Sequence, residues 1–393
     1  MAEKRSIFQD VDTDGGTGAR ASGAPDKKPR GGMIDEGRRG ARRGIRLWLM
    51  ALFALVVVMI AVGGLTRLTD SGLSITEWRP LTGAIPPLNT ADWQAEFDLY
   101  KQIPEFQLQN NWMSLEDFKV IYWWEWGHRQ LGRVIGLVWA AGFFGFLAAR
   151  QIPVGWTRRL LLLGALGGAQ GAVGWWMVHS GLGDGRLDVA SYRLATHLGL
   201  AFVILGLITW YALLLSRPER EIIQARRARE GKLFALGTGW MHFTVLQILI
   251  GALVAGIDAG RTYTEWPLMG GGLWPQQMMQ FEPWWRNFFE NPGTVQFMHR
   301  MTGYALLAFS VTALIRGRRS AHVATQRAFT LAFVAVVAQI ALGIVTVVLA
   351  APWEVAILHQ FLAVILWVLI IRARFHAGYP QAQSVRGSKH GRV

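Results

Sequence analysis

Four histidines, His128, His197, His299 and His359, stand at matching places in the two halves of a 393-residue chain. His128 lies in EWGHRQLGR and His299 in QFMHRMTGY, so each is followed by an arginine (Arg129, Arg300) at the mouth of a long apolar segment. Two apolar segments further on come His197, in RLATHLGLAF, and His359, in AILHQFLAV. Ionisable residues are costly in membrane-like segments, so four at corresponding positions point to a function. Haem iron takes axial imidazoles, and a large apolar ring suits the interior of a four-helix bundle. Each pair, His128 with His197 and His299 with His359, is therefore a candidate clamp on one iron porphyrin. Copper or zinc clusters would call for ligands closer in sequence, or for added carboxylates and thiolates.

Glu125 precedes His128 by three positions, about one helical turn, and a continuous helix puts both side chains on one face. The same position in the second half is Gln296. One half thus carries an ionisable group beside its histidine and the other a neutral isostere. That difference suggests chemistry in the first half and electron storage or transfer in the second; the plainer alternative is a wet interfacial carboxylate. Arg129 and Arg300 are suited to pairing with haem propionates, and equally to snorkelling into a membrane interface. His179 and His242 lack a histidine counterpart in the other half and read as hydrogen-bonded core or interface residues. His322, His376 and His390 read as solvated.

The elements that must position these residues are legible in the hydropathy. Apolar runs of roughly 17–22 residues, long enough to span hydrocarbon, recur eight times. They lie near Leu47–Leu65, Leu131–Ala149, Leu160–Val178, Leu194–Leu215, Leu233–Ile257, Phe297–Ile315, Ala328–Ala350 and Val355–Ile371. The expectation is an all-α membrane protein of eight transmembrane helices. The net charge of +14 is not spread evenly: residues 1–46 carry eleven Lys/Arg, and Arg217–Lys232 six more. Arg316, Arg318, Arg319 and Arg327 flank the link between the sixth and seventh spans, and Arg372 and Arg374 follow the last. With alternating helices all of these fall on one side, the positive-inside pattern, which puts both termini in the cytoplasm and argues against nucleic acid as the partner. The segment Thr66–Glu125, with nine acidic residues against four basic, belongs outside. A cytoplasmic (inner) membrane is the expected location, since seven acidic residues in the first 46 do not suit a mitochondrial presequence. The chain has no cysteine, which excludes disulfides and dithiol redox chemistry.

Residues 63–78, GGLTRLTDSGLSITEW, match residues 251–266, GALVAGIDAGRTYTEW, at seven of sixteen positions, including Asp70/Asp258 and Trp78/Trp266. The match continues through HRxxG at His128 and His299, and QxxxG at Gln170–Gly174 and Gln339–Gly343. Two tandem four-helix bundles are expected, residues 47–215 and 233–374, inserted in the same sense. A disordered basic tail (1–46), a basic linker (216–232) and a C-terminal tail (375–393) complete the chain. All four imidazoles then lie toward the outer leaflet. Tryptophans (Trp123, Trp124, Trp126, Trp175, Trp176, Trp284, Trp285) crowd that boundary as an aromatic belt. The first outer loop is the longer one, 50 positions from Trp78 to His128 against 33 from Trp266 to His299, and reads either as a partial lid or as surface decoration.

At these residues the chain resembles heme A synthase, in the long form found in mitochondria and alphaproteobacteria. The likeness runs from Gly63 to Phe361 and rests on the ordered set GGLTRLTDSGLSITEWRPLTGAIPP, EWGHRQLGR, ATHLGLAF, QFMHR and LHQ. The resemblance implies two four-helix bundles, the first binding the substrate heme O and the second holding a b-type haem (heme b). It implies that His128 and His197 ligate or face the substrate haem, that His299 and His359 ligate haem b, and that Glu125 is the catalytic carboxylate. The implied reaction is stepwise oxidation of one porphyrin methyl, through an alcohol, to the formyl group of heme A. The implied partners are heme O synthase and the assembling cytochrome oxidase. Two other readings compete: a di-haem b-type electron carrier, which would not require the Glu125/Gln296 difference, and a haem transporter, which would centre its site at mid-membrane.

Overall fold

The computed structural model describes residues 33–183 and 185–381. In lipid a segment must satisfy its own backbone hydrogen bonds, so the apolar runs fold as helices. In chain order the helices are α1 (Met33–Leu68), α2 (Thr90–Tyr100), α3 (Pro104–Leu108), α4 (Leu115–Ala148), α5 (Thr157–His179) and α6 (Ser191–Leu215). There follow α7 (Glu219–Arg227), α8 (Gly231–Gly256), α9 (Asn287–Glu290), α10 (Pro292–Arg318), α11 (Val323–Val348) and α12 (Trp353–Gly378). Among the described residues the only strand-like feature is an isolated bridge between Met269 and Gly272.

Among the described residues, seven helices are long and apolar enough to cross a membrane: α1 from Gly40, α4, α5, α6, α8, α11 and α12. They contain, to within two residues at the C-terminal ends, seven of the eight expected spans. The remaining one, Phe297–Ile315, lies inside α10, which has the length but carries Gln296, His299, Arg300, Arg316 and Arg318. The expected boundaries shift in three places. Residues 33–46, assigned to a disordered tail, are the first turns of α1, because no proline intervenes and a helix propagates readily once nucleated. Arg42 holds that extension by donating to the carbonyls of Leu214 (2.9 Å) and Arg217 (3.1 Å) at the end of α6. The basic linker contains α7, and α12 runs four residues into the expected C-terminal tail, to Gly378. That last extension buries His376, which sequence had placed in solvent; its carbonyl accepts from Thr325 Oγ1. Residues 1–32 and 382–393, with the rest of both expected tails and His390, lie outside the described residues.

Helix α1 packs on α4 and α6, and α5 packs on the same two; α8 packs on α10 and α12, and α11 on the same two. The two rings join where α6 meets α8 and α12, and where α1 meets α12. Apolar burial drives little association within lipid, so small residues and interhelical hydrogen bonds, about 1 kcal/mol each, decide such contacts. Trp367 Nε1 donates to the Phe202 carbonyl at 2.9 Å, and Gly206 leaves room beneath the indole. Gln360 Nε2 of α12 donates to the Ile60 carbonyl of α1 at 2.6 Å.

The long first loop is a folded cap. Asn89 caps α2 by accepting from Asp92 N (2.9 Å), and a Ser114/Asp117 capping box starts α4. Phe97, Tyr100, Ile103, Phe118 and Tyr122 form its core with Leu73, Ile75 and Val178. Beneath it, Arg67 at the end of α1 pairs with three carboxylates: Asp70 (2.8 Å), Asp258 (2.7 Å) and Asp188 (3.4 Å). Asp70 and Asp258 both adopt left-handed backbone conformations, φ 48° and 49°, which aspartate tolerates better than most residues. Arg67→Met should cost about 2 kcal/mol, less than for a fully buried pair because the three carboxylates are half-exposed. The expected reading is a lower thermal unfolding midpoint in detergent; an unchanged midpoint would show that the clamp contributes nothing.

Candidate functional site

Each of the four histidines lies with its ring against a glycine of the neighbouring helix. A Cβ built on Gly63 of α1 would stand 2.9 Å from His128 Cε1, and one on Gly174 of α5 would stand 2.8 Å from His197 Cε1. The corresponding distances are 3.0 Å from Gly251 of α8 to His299 and 2.9 Å from Gly343 of α11 to His359. An added side chain at any of the four would have to push the ring out of its place. The bare backbone is what lets each helix approach closely enough to seat an imidazole.

Three of the rings are also held by a glutamine one turn before the glycine. Gln170 Nε2 donates to the His197 carbonyl (3.0 Å) and lies 3.2 and 3.4 Å from the two ring nitrogens. Gln247 does the same for His299 (2.9 Å, with 3.1 and 3.4 Å to the ring). Gln339 does so for His359 (2.9 Å, with 3.3 Å to both ring nitrogens). The Oε1 atoms of all three glutamines are buried without a partner, as is Nδ1 of His128.

The rings form facing pairs on diagonal helices. His299 of α10 and His359 of α12 have centroids 6.5 Å apart and planes inclined at 76°. Two imidazoles on opposite sides of one metal, at bonds of about 2 Å, have centroids about 6 Å apart. His128 of α4 and His197 of α6 occupy the corresponding diagonal of the first ring and lie within electrostatic reach of each other. Groups that touch a ligating imidazole from behind fix its orientation, and the glutamine Nε2 atoms, 3.1–3.4 Å from the ring nitrogens, do so for three of the four rings. By spacing, by the glycine seats and by these glutamine contacts, the residues fit two bis-histidine iron porphyrins.

Glu125 is one turn above His128 on the continuous helix α4 and is 3% exposed. Burial removes the reading of a wet interfacial carboxylate. Its Oε2 accepts from Ser74 Oγ (2.8 Å) and Ile75 N (2.7 Å), both in the cap; its Oε1 accepts from Arg129 Nε (3.0 Å) and Nη2 (2.5 Å). Arg129 further donates to the carbonyls of Ile75 (2.6 Å) and Glu77 (3.0 Å). A carboxylate offers about four lone-pair sites, and all of them are used. In the second ring Gln296 Nε2 and Arg300 Nη2 both donate to the Tyr263 carbonyl at 3.0 Å, and Arg300 Nη1 reaches the Leu268 carbonyl at 3.0 Å. Both arginines thus tie their helix to the preceding loop instead of snorkelling free. Sequence reasoning missed Ser74, Ile75 and the role of the glutamines, although the QxxxG spacing was a visible signal for two of them.

The model of the COX15-CtaA family, described as cytochrome oxidase assembly protein, matches residues 46–371. The chain belongs to this family. It is 66% identical over 389 residues to the heme A synthase of Ruegeria pomeroyi, covering 98% of this chain and all of that one. It is 60% identical over 385 residues to the heme A synthase of Paracoccus denitrificans, covering 98% and 99%. With that of Cereibacter sphaeroides it shares 59% over 393 residues, at 98% coverage of each. The resemblance drawn from the motifs is borne out along the whole chain.

In this family member one more acid lies in the cap close to Glu125. Glu105 of α3 is 3% exposed, and its Oε2 has no partner. Burial, aided by the charges of Asp70, Asp188 and Glu125, pushes its carboxyl up to about 8. Ionisation is therefore opposed in the fold. The stability this acid contributes is complete below the ordinary carboxylate range and is lost as pH rises through about 8. Glu105→Gln should flatten that loss, with the variant the more stable protein at pH 9 and near parity at pH 5, as read by thermal unfolding in detergent. An identical pH profile in both proteins would contradict the burial argument.

Proposed function

We propose that this chain is a heme A synthase, an oxidoreductase that converts a methyl group of heme O stepwise, through an alcohol, to the formyl group of heme A for cytochrome oxidase. Heme O, the substrate, is held between His128 and His197. A b-type haem between His299 and His359 would supply a one-electron store beside that site. The architecture is eight transmembrane helices, α10 included, arranged as two duplicated four-helix bundles in the inner membrane with both termini cytoplasmic. Heme O synthase as supplier and the assembling oxidase as recipient are the partners this implies.

The observation that carries the reading is the difference between the two rings at one position. Glu125 with Arg129 is a buried, fully bonded carboxylate, whereas Gln296 with Arg300 is a neutral link to a carbonyl. A porphyrin methyl is unactivated, so its oxidation develops positive charge and releases protons. A preorganised carboxylate in a low-dielectric site stabilises such charge. Its four donors favour that electrostatic role over direct proton abstraction, because a proton can enter only if one donor leaves. Ser74 is the replaceable one: its hydroxyl can turn to the Ser71 carbonyl, 3.0 Å away. Arg129, bonded to Glu125 and two carbonyls, positions the carboxylate. A di-haem electron carrier would need no such group on one side alone.

Glu125→Gln should retain both haems yet convert heme O at least about 100-fold more slowly, the cost of losing one preorganised charge-stabilising group. Extraction and chromatography of the haems from purified protein measures this. Full conversion to heme A by the variant would overturn the assignment.

A further inference from the structure

The pentapeptide that seats each imidazole occurs four times. QGAVG (170–174), QILIG (247–251) and QIALG (339–343) each place a glutamine on the histidine carbonyl and a glycine beneath the ring. The fourth copy, on α1 beneath His128, reads MIAVG (59–63). Met59 occupies the place that Gln247 holds in the second ring. A Cβ on Gly132, four residues after His128, would lie 3.5 Å from Met59 Cε, and one on Gly303, four residues after His299, would lie 3.5 Å from Gln247 Nε2. A thioether gives no N–H to the His128 carbonyl and is only a weak acceptor for its ring. His128 Nδ1 is accordingly buried with no partner.

We infer that Met59 makes His128 the exchangeable side of the first site, so that substrate haem enters and product haem leaves there, while the three glutamine-held imidazoles bind durably. This rests on the reading of the first ring as the substrate site. The physical reason is that a neighbouring hydrogen-bond partner fixes the position and orientation of a ligating ring, and its loss typically weakens metal binding 10- to 100-fold. A resident haem profits from two such partners, Gln247 and Gln339. A substrate must be released after reaction, and one held and one unheld imidazole give a site that opens from a defined face. Met59 is thus a positioning residue by omission. Its flexible, polarizable side chain fills the gap without fixing the ring.

The test uses the full-length protein in nanodiscs, mixed with excess apomyoglobin as haem acceptor. Release is followed by absorbance, with chromatography distinguishing heme O and heme A from heme B. Met59→Gln should slow release of heme O and heme A at least about tenfold and leave heme B release unchanged. Gln247→Met, an apolar exchange suited to lipid, removes the N–H given to the His299 carbonyl and should speed heme B release by about tenfold or more. Met59→Gln protein that releases heme O and heme A at the wild-type rate overturns the inference. So does Gln247→Met protein with unchanged heme B release, and this arm decides alone if the first variant does not assemble. Wild-type protein that takes up neither heme O nor heme A fails the functional reading itself, a result distinct from either variant outcome.

Discussion

The close approach of a bare glycine backbone to an imidazole ring is the contact on which the arrangement depends. At Gly63, Gly174, Gly251 and Gly343 a single added carbon would meet the histidine at about van der Waals overlap or closer. Interior packing has no slack to absorb such a collision. The helix pairs α1/α4, α5/α6, α8/α10 and α11/α12 are therefore set at the separation that a histidine on a glycine requires. The diagonal of each ring, where the imidazoles face one another, follows from those separations.

Polar side chains inside a membrane have to be answered by other protein groups, and here the answers come from backbone carbonyls. Gln170, Gln247 and Gln339 each donate to the carbonyl of the histidine they flank, and Arg300, Gln296 and Arg129 all donate to carbonyls of the loops above. These loops are thereby fixed to the helices that carry the four histidines. Arg67 extends the same principle across both rings, since it pairs with Asp70 of the first loop, Asp188 of the second and Asp258 beyond α8. Its place in the second half is Ala255, so one arginine serves matching aspartates on both sides.

The two rings differ at two matching positions beside their first histidines. Glu125 stands against Gln296 and Met59 against Gln247, and both differences fall on the ring around His128. One adds a charge beside that imidazole, and the other removes the amide that would hold it. Under the proposed function, the second ring, with neutral partners and two held imidazoles, is the permanent store, and the first is the site where a molecule is bound, altered and released.

Sequence alone determined the helical membrane class, seven of the spans, the paired histidines and the singular position of Glu125. Those features are properties of composition and of linear matching, and hydropathy measures them directly. It missed the helical start of α1 and the burial of His376, because helix ends depend on partners such as the α6 carbonyls that Arg42 reaches. Helix α10 carries Gln296, His299, Arg300, Arg316 and Arg318, and that polarity is why its composition falls short of a membrane span. Only the tertiary structure decided that Glu125 is buried under Ser74 and Ile75, 51 and 50 positions away, and that the first loop is a folded cap. Only it gave the repeated glutamine–glycine spacing a meaning, by showing which helix lies beside which histidine. Separations of 27, 52 and 20 residues between Gln and His have no common register in the sequence. They become one geometry when the helices pack.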